Sequence, residues 1–229
     1  MKSKNISLGL LKTDDRTVQF YNEYIQSMFN ESKILEDHTA LTKITSDFST
    51  TNQYLPNQFE YLEPLLKKDI DLALKEKIST LIIPNITLHE TLDRLVKKEY
   101  FPNIKIVHPL KTTVQALQIK KINKVVVIGS AYTSHCDWLN NYFLQHDIKT
   151  IAINNEHTQT IDKIRQRTYN GNETQEDKQH YNDLINHYQQ QAPTVIACTE
   201  LSILIDKKYN HNIYDMARIQ MRAAMDIAQ

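Results

Sequence analysis

Short β-rich runs alternate with longer stretches of helical period along most of this chain, and that alternation constrains the fold more than any other feature. "NISLGLL" (5–11), "ALTKITSDF" (40–48), "STLIIPN" (79–85), "KVVVIGS" (124–130), "IKTIAINN" (148–155) and "TVIACTE" (194–200) read as strands. Parallel strands need crossover connections, and helices supply them, so the expected class is α/β. In "TVQFYNEYIQSMFNES" Val18, Tyr21, Ile25 and Met28 recur at helical steps, with Thr17 as the expected N-cap. "NQFEYLEPLLKKDIDLALKEKI" is helical and begins or kinks at Pro64. Further helices are expected in "TLHETLDRLVKKEY", "TTVQALQIKKI", "TSHCDWLNNYFLQHD" and "IYDMARIQMRAAMDIAQ", and the polar stretch from Arg165 to Gln191 runs from loop to helix.

The pattern restarts near residue 110. "ISLGLL...RTVQFYNEY" parallels "VVVIGSAYTSHCDWLNNY", and "TLIIPN" parallels "TVIACT". The repeat implies two pseudo-symmetric lobes, residues 1–108 and 109–211, each a mostly parallel sheet flanked by helices, with the active-site cleft between them. The C-terminal helix within 212–229 is expected to pack back on the first lobe. In open α/β sheets ligands bind beyond the carboxyl ends of strands, and such a cleft suits a small carboxylate.

Composition narrows the partners. With 27 basic against 27 acidic residues and no basic surface stripe, nucleic acid is not an expected ligand. No apolar run approaches the ~20 residues of a membrane-spanning helix. Two cysteines, Cys136 and Cys198, and no charged-then-apolar leader give no support to a disulfide framework, so the reducing cytoplasm is the expected compartment. Three glycines, Gly9, Gly129 and Gly171, cannot build a dinucleotide fingerprint or P-loop, and the nine histidines show no zinc-site spacing, so neither a nucleotide cofactor nor a metal is expected.

Cys198 carries the chemistry, if any residue does. Buried free cysteine is often plain packing. At a strand end, however, nearby backbone N–H groups favour the thiolate and lower the pKa from ~8.5, and a thiolate can take a proton from a carbon beside a carboxylate. Cys136 falls within an amphipathic stretch and reads as packing. Asn85, at the matching strand end of the first half, can hydrogen-bond a ligand but cannot act as a base, and it reads equally as a turn residue after Pro84.

The ordered set "GLLKTDDRTVQFYNEYI", "IIPNITLH", "VVVIGSAYTSHCDWL", "VIACTELSILI" and "IYDMARI" resembles the aspartate/glutamate racemase family over nearly the whole chain, most specifically at Cys198-Thr199-Glu200. The resemblance implies a cofactor-independent active site between two α/β lobes, often in a homodimer, with two thiols acting as base and acid on opposite faces of the α-carbon of a small acidic amino acid. Cys198 matches the second thiol, and Asn85 stands at the place of the first. Thr87 and Thr199 match positions that bind the substrate carboxylate, and Ser130 and Thr133 fall in a second carboxylate-binding loop. The chain departs from the pattern at Lys12–Arg16, which replaces a glycine-rich loop, and at Ile86, Lys111 and Met216. Three readings follow: a PLP-independent racemase-like isomerase acting on Asp or Glu with Cys198 as acid/base, a single-thiol decarboxylase or isomerase of the same superfamily, and a catalytically inactive carboxylate-binding homologue.

Overall fold

Two parallel sheets with the same strand order organise the chain in a computed structural model, which describes residues 7–32, 41–206 and 212–228. The chain divides into two compact units, Met1–His108 with Gln220–Gln229, and Pro109–Ile219.

In the first unit the elements are β1 (Leu8–Leu11), α1 (Asp15–Ser32), β2 (Leu41–Ile44), α2 (Phe48–Tyr54), α3 (Phe59–Lys75), β3 (Thr80–Ile82), α4 (Ile86–Lys97) and β4 (Lys105–Ile106). Its sheet runs β2-β1-β3-β4, with Leu8 beside both Leu41 and Thr80, and Thr80 beside Lys105. The two middle strands are wholly buried because helices cover both faces. In α3 the residues Leu62, Leu66, Ile70 and Ala73, at steps of three and four, face the core formed with Leu81, Leu88 and Leu92.

The second unit contains α5 (Pro109–Ile119), β5 (Lys124–Gly129), α6 (Asp137–Leu144), β6 (Lys149–Ala152), α7 (Asn155–Tyr169), α8 (Gln175–Gln189), β7 (Thr194–Ala197), α9 (Thr199–Ile203) and β8 (Ile213–Asp215). Its sheet runs β6-β5-β7-β8, all parallel, with Gly129 opposite Ala197. Ile128, Ile161, Ile164, Tyr181, Ile185 and Leu201 share its core. A capping box starts α8: Thr174 Oγ1 accepts from Asp177 N at 3.1 Å, and Asp177 Oδ2 accepts from Thr174 N at 3.0 Å. The last helix, α10 (Met216–Ala228), begins in this unit and from Gln220 onward belongs to the first.

Several local expectations are corrected. Thr17 is not the cap of α1: Asp14 Oδ1 accepts from Thr17 N at 2.8 Å, and Thr17 is buried in the first turn. The helix containing Pro64 does not begin there: α3 starts at Phe59, with the proline inside it. Strand β2 ends at Ile44, because Asp47 caps the short α2 through Thr50 N at 3.2 Å. Cys136 is the N-cap residue of α6 and not an interior position. Arg165 and Arg167, read as loop, lie in α7, and Ile213–Asp215, read as helix, form β8.

Candidate functional site

The strand-to-helix junction after β7 places Cys198 with φ −159 and ψ 127, as the N-cap residue of α9. Its side chain does not cap the helix. The thiol instead points at the following turn, where Sγ donates to Glu200 Oε2 at 3.0 Å. Thr199 Oγ1 donates to the same oxygen at 3.1 Å. Glu200 is half-buried, whereas Cys198 is only 6% exposed and packs with Leu201 in the unit's core.

Burial pushes the Cys198 thiol well above its ordinary pKa. The Glu200 carboxylate adds to this, and Arg165 opposes it without prevailing. This corrects the expectation that the strand end lowers the pKa: desolvation and a neighbouring anion outweigh the Leu201 N–H and the guanidinium. At rest the group is a neutral thiol, an acid held against a carboxylate.

Arg165 reaches this place from α7, which packs on α9. Burial acts to depress the guanidinium, but its bond to Asp162, the Cys198 sulfur when ionised, and the Asp162 and Glu200 carboxylates push it up. Its Nε donates to Asp162 Oδ1 at 2.8 Å. Asp162 Oδ1 also accepts from Ala131 N at 3.1 Å, and Oδ2 accepts from Gln166 Nε2 at 2.8 Å. Despite its burial the Asp162 carboxyl lies below the usual range, because the Arg165 and Ala131 donors hold it ionised. Asp162 therefore fixes the cation and the loop after β5 together.

That loop carries Ser130 and Thr133, whose hydroxyls lie 3.0 Å apart, and Ser130 Oγ also accepts from Thr133 N at 3.1 Å. Since β5 pairs with β7 at Gly129 and Ala197, the loop stands next to Cys198. A Cβ on Gly129 would come within 2.1 Å of Thr133 Oγ1 and 3.0 Å of the Ala197 carbonyl, so only glycine admits this approach. Behind the junction, Ser202 Oγ lies 3.1 Å from the Cys198 carbonyl and 2.7 Å from Asp215 Oδ1. Asp215 also accepts from Ala217 N at 3.0 Å and pairs with Arg218, so β8 and the start of α10 brace the cysteine's backbone.

Four of the six residues singled out from the sequence, Ser130, Thr133, Cys198 and Thr199, thus meet at the carboxyl ends of β5 and β7. Asn85 and Thr87 stand in the first unit, after β3. Asn85 is the N-cap of α4, and its Oδ1 accepts from Leu88 N at 3.0 Å. Thr87, half-buried, lies in that helix's first turn. Arg165, Asp162 and Asp215 complete the second unit's cluster, and sequence reasoning missed their roles. Among the described residues, no group of three or more His, Cys, Asp or Glu side chains could hold a metal ion. No helix among them is long and apolar enough to cross a membrane.

Solved structures share this architecture. A Yersinia pestis protein described as an Asp/Glu racemase superposes with a TM-score of 0.81 over 97% of this chain and 99% of its own, at 16% identity. An aspartate racemase homologue from Pyrococcus horikoshii OT3 gives 0.78 over 97% and 98%, at 17% identity. The Picrophilus torridus aspartate racemase gives 0.77 over 98% and 94%, also at 17%. No family model matches the sequence, and no curated protein matches it. The fold is that of the Asp/Glu racemase structures, two four-stranded parallel sheets flanked by helices.

Proposed function

We propose that the chain is a cofactor-independent, racemase-like isomerase that exchanges the α-proton of a small acidic amino acid, aspartate or glutamate, with Cys198 as the acid/base. The observation that carries this reading is the Cys198 thiol bonded to Glu200 Oε2 at 3.0 Å, beside Arg165 and at the mouth of the Ser130–Thr133 loop. Glu200 Oε2 relays the Sγ proton to solvent and stays ionised, leaving a thiolate opposed to Arg165. The thiolate then takes the α-proton, the substrate carboxylate spreads the carbanion's charge, the new thiol trades its hydrogen with solvent through Glu200, and the same sulfur returns a solvent-derived hydrogen to the carbon. Thr199 orients Glu200, and the Ser130 and Thr133 hydroxyls serve the substrate carboxylate.

Asn85 has no proton to trade, and its amide oxygen is engaged by Leu88 N–H. A site with one thiol exchanges hydrogen on one face, so exchange without inversion is the expected behaviour. Thr87 supplies a further hydroxyl toward the carboxylate, and the enzyme works in the cytoplasm as a homodimer.

The test is incubation with each enantiomer of Asp and Glu in deuterated water, with loss of the α-proton followed by NMR. Exchange is expected to fall by about 10²–10⁴-fold in Cys198→Ser. Full turnover in that variant would sink the reading. Absence of exchange, with carbon dioxide released from a disubstituted malonate, would assign a single-thiol decarboxylase instead. Thermal stabilisation by an amino acid without either reaction would assign a carboxylate-binding protein.

A further inference from the structure

Two groups of opposite charge act on the Cys198 sulfur, Glu200 bonded to it at 3.0 Å and Arg165 from α7, which packs on α9, and each has capacity left. Arg165 is anchored through Nε alone, and its two terminal nitrogens have no hydrogen-bond partner among the described residues. With 23% of its side chain exposed, Arg165 is held at Nε and is not sealed from solvent. Glu200 Oε2 receives the Cys198 and Thr199 donors, while Oε1 receives none among the described residues. The two groups form no ion pair with each other within 4.0 Å, so neither charge consumes the other.

We propose that Arg165 and Glu200 together read the zwitterion of an α-amino acid, the guanidinium taking the α-carboxylate through its terminal nitrogens and Glu200 Oε1 taking the α-ammonium. Both charges of an amino acid sit on the carbon that bears the exchangeable hydrogen, so engaging them at these two points brings that carbon to Cys198 Sγ. A bidentate guanidinium fork matches a carboxylate's two oxygens, and a carboxylate is the natural acceptor for an ammonium. A dicarboxylate without the amino group would leave Glu200 unpaired and bring a second anion toward it. A simple amine would leave Arg165 unmatched. Glu200 is thereby the residue that requires an amino group, and Arg165 the one that requires the acid.

This inference rests on the proposed role of Cys198, and binding tests it apart from turnover. Calorimetric titration of the full chain would compare glutamate with glutarate, and aspartate with succinate, in the wild type, Glu200→Gln and Arg165→Met. The wild type is expected to prefer the amino acid by about ten-fold or more, since a site built to pair a polar group rejects the analogue that lacks it. Glu200→Gln should bring that ratio near one while glutarate still binds, and Arg165→Met should weaken both ligands. Glu200→Asp, which keeps the charge, should restore part of the preference and guards against a fold defect in the Gln variant. Equal binding of glutamate and glutarate by the wild type would overturn the inference, as would a preference that survives Glu200→Gln. If α-proton exchange proceeds with either of those results, the proton-exchange reading stands and zwitterion recognition by this pair falls. If the amino-acid preference is lost in Glu200→Gln and no protein shows exchange, zwitterion recognition stands and proton exchange falls. No binding by any ligand removes both.

Discussion

At the scale of single residues, Asn85 and Cys198 hold one structural station and use it differently. Each ends a middle strand and starts a helix, with φ −152 and ψ 118 at Asn85 against φ −159 and ψ 127 at Cys198. At this geometry a side chain either caps the helix or reaches beyond it. Asn85 spends its oxygen on Leu88 N–H, and Cys198, a poor capping group, is left to meet Glu200. Asn85→Cys should therefore cost about 1 kcal/mol through the lost cap, visible as a lower melting temperature, without rebuilding the backbone. In exchange it adds a thiol where the first unit has none. An unchanged melting temperature in this variant would refute the capping role of Asn85. The Cys-Thr-Glu triplet was legible because its three members are adjacent in the chain. The charge facing it was not, because Arg165 comes from a different element, and nothing in the letters around it marks a cation turned inward.

At the scale of elements, the strands that were easiest to read are those with helices on both faces. "KVVVIG" and "TVIA" are continuous apolar runs because β5 and β7 have little solvent side to alternate with. Legibility failed where a boundary depends on one side chain. Asn154 starts α7 by accepting from His157 N at 2.7 Å, ahead of a face built from Thr158, Ile161, Ile164 and Thr168, in which two threonines dilute the apolar period. β8 passes directly into α10 at Asp215–Met216, with no turn residue to separate three strand positions from a helical period. The contact between β5's terminal loop and β7 yields an element-scale prediction. Gly129→Ala forces a Cβ against Thr133 Oγ1 and the Ala197 carbonyl, one a tightly held side chain and the other backbone. A loss of about 1–3 kcal/mol in denaturant unfolding is expected, together with a fall in α-proton exchange, because the strained junction is the one that carries Cys198. Wild-type stability in this variant would mean that the loop yields freely.

At the scale of the whole molecule, the doubling was legible as a repeat in the letters, the strand order within each sheet was not, and the two copies are braced by different chemistry. Four residues past Cys198, Ser202 is tied to Asp215 of β8; four residues past Asn85, His89 lies buried with its Nε2 3.2 Å from Gln220 Nε2. Gln220 is a residue of α10, and in the first unit it closes a network no local pattern could reveal, because its partners are remote in sequence. Its Nε2 donates to the Val107 carbonyl at 2.7 Å, and its Oε1 accepts from Tyr21 Oη at 2.8 Å, all of it buried. Replacing Gln220 with alanine removes its bonds to the Tyr21 hydroxyl and the Val107 carbonyl, both buried, at a cost of about 1 kcal/mol for each bond lost. Amide hydrogen exchange should then quicken in β1, α1 and β3, while β5 and β7 keep their protection, because every bond lost lies in the first unit. If protection instead falls equally in both sheets, the units unfold as one body, and the division of the chain at His108 and Ile219 has no thermodynamic counterpart.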